Sequence, residues 1–152
     1  MSSTIQQANY QITIFPYSPT NAILLIYQLL KGATHMLATF ICYPKCTTCQ
    51  KAREWLVSHK IEFNERNIVL NNPSKQELNK WIKESGLDIK RWFNTSGLKY
   101  KELALKDKLP KMSDEEKIEL LSTDGMLVKR PIIITDKGIT TGFKEEEWKK
   151  LF

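Results

Sequence analysis

Met36-Leu37-Ala38-Thr39-Phe40-Ile41-Cys42-Tyr43-Pro44-Lys45-Cys46-Thr47-Thr48-Cys49-Gln50-Lys51-Ala52 changes character twice over a short distance. Residues 36–42 carry no charge and set Leu37, Phe40 and Ile41 in a run that reads as a buried strand. Tyr43-Pro44-Lys45 breaks it, because proline has no N–H to give to a ladder. From Thr47 to Lys60 the pattern becomes helical, with Ala52, Trp55 and Leu56 on one face. Cys46 and Cys49 therefore fall where a strand hands over to a helix, about one helical turn apart.

Such a junction favours thiol chemistry. A thiolate at a helix N-terminus is stabilised by unpaired backbone N–H groups and by the helix dipole. Lys45 and Lys51 add positive charge nearby. Cys46, at the helix mouth, is expected to be the more exposed thiol with the lower pKa. Cys49, one turn inside, is placed to attack a mixed disulfide formed at Cys46. Two plainer readings stand beside this one. The pair could be ordinary packing cysteines, or half of a zinc site whose remaining ligands would have to come from Cys42, His35 and His59. Cys42 ends the buried strand and reads as core. No metal site is expected.

Outward from the pair, Ile61 to Ile68 reads as a second strand. Ser74 and Glu77 have capping-box spacing before the stripe Leu78, Trp81 and Ile82, and Gly86 marks the stop. Short helical pieces are expected at Ile89–Phe93 and Tyr100–Leu105, separated by the turn Asn94-Thr95-Ser96-Gly97. Ser113 and Glu116 repeat the capping box before Ile118, Leu120 and Leu121. Ile132-Ile133-Ile134 reads as a central strand, Asp136-Lys137-Gly138 as a hairpin turn, and Ile139-Thr140-Thr141 as the returning strand. A helix carrying Trp148 runs from Lys144 to Leu151. The order predicts an α/β domain: a four-stranded mixed sheet flanked by helices, with a helical insertion at about 71–127. Pro131, just before the central strand, suits either a trans strand start or a cis bond that presents backbone to an extended partner beside Cys46.

Charge divides the chain near residue 36. Residues 1–35 hold Lys31 as their only charged side chain, while 36–152 carry the other 22 basic and all 17 acidic residues. The apolar run Ala22–Leu30 is too short to span a bilayer, and the flanks of a signal peptide are missing. Residues 1–35 are therefore read as an N-terminal extension, either an overextended reading frame preceding a true start at Met36 or a loosely held helix or anchor. Residues 36–152 form the domain. The net charge of +6 helps solubility and attracts acidic partners, but no run of five like charges marks a nucleic-acid binder, so no direct nucleic-acid contact is expected. Three cysteines within eight residues fit a reducing compartment and a cytoplasmic protein rather than a secreted disulfide framework. No membrane attachment and no organic cofactor motif are expected.

The strings Tyr43-Pro44-Lys45-Cys46-Thr47-Thr48-Cys49-Gln50-Lys51-Ala52, Glu65-Arg66-Asn67-Ile68, Phe93-Asn94-Thr95-Ser96-Gly97 and Arg130-Pro131-Ile132-Ile133-Ile134 together resemble the arsenate reductase-like family that also contains the Spx/MgsR regulators. The resemblance spans essentially all of 36–152. It implies a thioredoxin-like fold with a helical insertion, a catalytic or redox-sensing cysteine at Cys46, and a cis proline at Pro131. It points to Arg130 as catalytic beside Cys46 and Cys49, and to Lys45, Thr47, Thr48, Asn94 and Pro131 as the surface that meets substrate. Three activities follow as expectations. The first is glutaredoxin-like thiol–disulfide exchange, with glutathione, a glutaredoxin or a thioredoxin as electron donor and a thiol or disulfide substrate or reductant protein as partner. The second is a redox-sensing transcriptional regulator that binds the RNA polymerase α-subunit. The third is a glutathione- or glutaredoxin-linked arsenate reductase. Arsenate reductases of this family surround the oxyanion with three arginines. Here only Arg130 matches, with Asn94 and Phe143 at the other two positions.

Overall fold

The computed structural model describes residues 37–152. The expected extension 1–35, with His35, and the start at Met36 lie outside the described residues. Strand β1 (Ala38–Cys42) leads into helix α1 (Thr47–Ser58), then strand β2 (Phe63–Asn67). Helices α2 (Lys75–Ser85), α3 (Leu98–Glu102), α4 (Leu105–Lys108) and α5 (Asp114–Thr123) follow, with 3-10 turns at Ile89–Trp92 and Leu109–Lys111. The chain closes with β3 (Ile132–Ile134), β4 (Ile139–Thr141) and α6 (Glu145–Trp148).

The four strands form one sheet in the order β2-β1-β3-β4. β1 runs parallel to β2, and β1 to β3 and β3 to β4 are antiparallel, so the sheet is mixed. Parallel β1 and β2 need a crossover, which α1 supplies. The uncharged Ile132-Ile133-Ile134 run lies inside the sheet as predicted, since a strand covered on both faces needs apolar side chains on both.

Alternation along the strands sends side chains to two cores. Phe40, Cys42 and Ile133 pack with Cys49, Ala52, Trp55, Leu56 and Trp148 from α1 and α6. Ile41 and Ile132 pack with Leu78, Trp81, Trp92, Phe93 and Leu121 from the insertion. Both capping boxes close: Ser74 and Ser113 accept from the N–H groups of Glu77 and Glu116, whose carboxylates accept in return. Gly86 ends α2 in the left-handed conformation.

The expected helix Tyr100–Leu105 is instead two pieces. Ala104 has φ +50°, which interrupts the helical path and starts α4 in a new direction. The last helix is one turn, Glu145–Trp148, shorter than the predicted 144–151. Its end is fixed by burial of Trp148, whose Nε1 donates to the Gly142 carbonyl at 3.0 Å.

Candidate active site

Cys46 is the N-cap residue of α1, with φ −90° and ψ 118°, so its side chain stands at the open end of the helix. The turn before it is closed by the Cys46 N–H donating to the Tyr43 carbonyl at 3.0 Å. The Gln50 side chain clamps the same turn by donating to the Pro44 carbonyl at 3.0 Å. No acidic residue occupies the first turn of α1, so nothing there opposes a negative charge on sulfur.

The two thiols differ sharply in setting. Burial by itself would push the Cys46 thiol up. Hydrogen bonds from the Cys49 N–H, the Cys49 thiol and the Thr48 N–H, together with the Arg130 charge, outweigh it and hold Cys46 below its ordinary value. Cys49 is 2 % exposed. Its burial dominates, and the adjacent Cys46 and Cys42 sulfurs add to it; a hydrogen bond from the Tyr43 N–H is not enough to offset them, and the thiol is pushed up to about 12. Cys42, Cys46 and Cys49 are all free cysteines in this structure.

Arg130 reaches the site from the strand side. Its guanidinium lies over the Tyr43 ring at 5.2 Å, and Nη1 donates to the Met126 carbonyl at 3.4 Å. The Arg130–Pro131 bond is cis. Pro131 is buried, and its carbonyl accepts from the Gly142 N–H at 2.7 Å, so that carbonyl is used inside the fold. Gly142 has φ +78°, a left-handed conformation that costs glycine least and lets the chain turn from β4 towards Phe143.

A cleft of about 740 Å³ opens beside Cys46. Lys45, Thr47, Thr48, Asn94 and Arg130 all line it with Cys46; Cys49 sits behind its wall, and Pro131 contributes through its bond to Arg130 rather than as a lining residue. The Asn94–Gly97 turn is one wall. It is fastened by the Asn94 N–H donating to the Leu127 carbonyl at 2.8 Å and the Gly97 N–H to the Asn94 carbonyl at 2.9 Å. A Cβ at Gly97 would lie 2.5 Å from the Asn94 side-chain nitrogen, so any larger residue there would push the Asn94 amide out of place. Asn94 also donates from Nδ2 to the Met126 carbonyl at 3.3 Å.

Other residues complete the cleft that are not among the site residues expected from the sequence. Tyr43, Lys90, Arg91, Lys129 and Lys144 all line it. Arg91 is a second arginine in the cleft, tied to Glu147 at 3.4 Å. Phe143 lines it too, with its ring held against Trp148 at 4.9 Å. Of the zinc candidates, His59 caps the far end of α1, stacked on Trp55 at 4.1 Å and away from Cys46. Cys42 is in the core as expected, and its thiol also donates to Glu65 Oε1 at 3.4 Å, while Glu65 is paired with Arg53. No helix among the described residues is long and apolar enough to cross a membrane.

A four-stranded mixed sheet with a C-x-x-C pair at the mouth of its first helix, and a cis proline before β3, defines a thioredoxin-like fold arranged for thiol chemistry. The chain belongs to the ArsC family, whose model matches residues 42–151. It is similar to YusI of Bacillus subtilis (strain 168), an uncharacterized protein, with 51% identity over 115 residues that make up 76% of this chain and 98% of YusI. It is also similar to the regulatory protein MgsR of the same organism, with 34% identity over 113 residues, 74% of this chain and 88% of MgsR. Among solved structures, an ArsC family related protein from Bacteroides fragilis superimposes with a TM-score of 0.75 at 52% identity, covering 78% of this chain and all (100%) of that one. The resemblance read from the four sequence motifs is thus established, and so is the fold it implied.

Proposed function

We propose that the protein is a thiol–disulfide oxidoreductase in which Cys46 attacks and Cys49 resolves. The Cys46 thiolate attacks one sulfur of a partner disulfide. A Cys46–partner bond forms, and the partner's other sulfur leaves as a thiolate that takes up a proton. Cys49 then gives its proton to water and attacks the Cys46 sulfur. The Cys46–Cys49 bond forms, and the second partner sulfur leaves. The partner has gained two electrons and the pair has lost two. A glutaredoxin, a thioredoxin or two equivalents of glutathione would restore the dithiol.

The observation that carries this reading is the asymmetry of two adjacent sulfurs. Cys46 is held towards its anion and lines the cleft, while Cys49 is covered and kept protonated beside it. Arg130 serves the anion electrostatically, and Thr48 supports it through its N–H. In a reduced-protein assay with a small neutral disulfide, Cys46→Ser is expected to lower exchange by about 1,000-fold or more, since the nucleophile itself is lost. Cys49→Ser should still attack and then stall as a mixed disulfide visible by mass spectrometry. Turnover by Cys46→Ser at the native rate would end this reading.

A redox-sensing regulator is the second reading, favoured by the likeness to MgsR along most of its length. The same disulfide would then switch a grip on the RNA polymerase α-subunit. Capture of that subunit by one redox state only, without turnover of disulfides, would select it. Arsenate reduction is less well supported by the cleft. An oxyanion needs several converging cationic donors, and here Asn94 is bonded to the Met126 carbonyl, Phe143 is packed on Trp148, and Arg91 is paired with Glu147.

A further inference from the structure

The positive charge of the chain is concentrated. Residues 89–111 hold seven Lys and Arg against two acids, Glu102 and Asp107, whereas the whole chain exceeds neutrality by only six. This segment contributes Lys90, Arg91 and the Asn94–Gly97 turn to the cleft, and Lys129 and Arg130 join them from the segment before β3. Six cationic side chains line the cleft, and among the described residues no carboxylate does. Arg91 and Lys144 are partly neutralised by Glu147, at 3.4 and 3.0 Å. Lys45, Lys90 and Lys129 are exposed on the rim, and only Arg130 is half-buried.

The way these charges are deployed decides what kind of anion they suit. A small anion is held by buried donors that converge on it. Exposed lysines spread around a mouth act instead through their summed field, which steers an oppositely charged surface and raises its encounter rate. An extended acidic surface can meet several of them at once. We propose that the disulfide-bearing partner of Cys46 is an acidic protein surface, docked across the mouth of the cleft on Lys45, Lys90, Lys129 and Arg130. The inference rests on the redox reading, leaves its exchange step unchanged, and adds the substrate class.

The test follows oxidation of the full-length reduced protein by four disulfides at increasing salt. Two are peptides with the same disulfide flanked by several Glu or by several Lys. The third is neutral 2-hydroxyethyl disulfide, and the fourth is oxidised glutathione as a small anion. The acidic peptide should react about 10-fold or more faster than the basic one at low salt, with the advantage fading as salt rises. Lys90→Glu with Lys129→Glu should cut the ratio of acidic-peptide to neutral-disulfide rates about 10-fold. Lys80→Glu with Lys83→Glu, the same charge change on α2, should leave that ratio alone. Equal rates for the two peptides, with the neutral disulfide reacting normally, would overturn the inference and spare the redox reading. An equal salt-sensitive advantage for oxidised glutathione would overturn it in favour of a small-anion site. Failure of all four to react would remove both.

Discussion

Phe40 and Ile133 face one side of the sheet, under α1 and α6, whereas Ile41 and Ile132 face the other, under the helical insertion. The first side is built from large rings. Trp148 stands edge-on to Phe40, Trp55 and Phe143 at 6.2, 5.8 and 4.9 Å, and this cluster supports the helix whose mouth holds Cys46. The second side is mainly aliphatic and is pinned at its margin by polar bonds. Arg66 of β2 donates to both Glu77 oxygens, at 2.6 and 3.1 Å, and to the Asn71 and Asn72 carbonyls, at 2.9 and 3.1 Å. Asn72 in turn donates to the Ser122 carbonyl at 2.5 Å. One side thus supports the thiol and the Phe143 wall, and the other attaches the Asn94–Gly97 wall with Lys90 and Arg91.

Substitutions on the two sides should separate these roles. Trp148→Ala is expected to have the largest effect, about 3–5 kcal/mol, because it empties the centre of the ring cluster. Chemical denaturation would measure the loss. Reactivity of Cys46 in the molecules that stay folded should fall as well, since α1 loses its support. Leu121→Ala, fully buried on the other side, should cost about 2–4 kcal/mol. Cys46 reactivity per folded molecule should then stay native, and an equal loss in both variants would break the comparison.

A smaller effect is expected at the pin itself. The hydrogen bond from Arg66, working against partial burial, brings the Glu77 carboxyl down to about 2 from 4.5. A carboxyl depressed by folding stabilises the protein above its unfolded value of 4.5 and loses that contribution as pH falls towards 2. Glu77→Gln should therefore cost about 1 kcal/mol near neutrality, a modest figure because water reaches more than a third of the side chain, and flatten the acid limb of the stability curve. Thermal melts across that pH range would check both.

Much of the fold on both sides was legible in the sequence because its signals are local. A C-x-x-C after a proline break, an Arg-Pro before three isoleucines and two Ser-x-x-Glu boxes each carry their meaning within four or five residues. The cleft's far wall was less legible. Nothing near Tyr43 in the sequence shows that Arg130 will lie over its ring, and nothing near Phe143 shows that it will seat against Trp148. Arg91 looks like any surface arginine until the insertion folds it into the cleft. Ala104 carries no sequence mark of its positive φ, so two short helices read as one. Lys117 is buried, with its ammonium on Asp114 at 2.8 Å, and no local pattern in the sequence marks it.

Cys46 is held towards its anion, while Cys42 and Cys49 are held away from theirs. Site-resolved alkylation of the reduced protein, followed by mass spectrometry from acidic to alkaline pH, measures this directly. Cys46 should react ahead of the other two described cysteines as pH rises, with an inflection below the ordinary thiol value of 9.0, while Cys42 and Cys49 stay protected. An inflection for Cys46 at or above that value, or alkylation of Cys49 ahead of it, would show that the helix mouth does not favour the Cys46 thiolate.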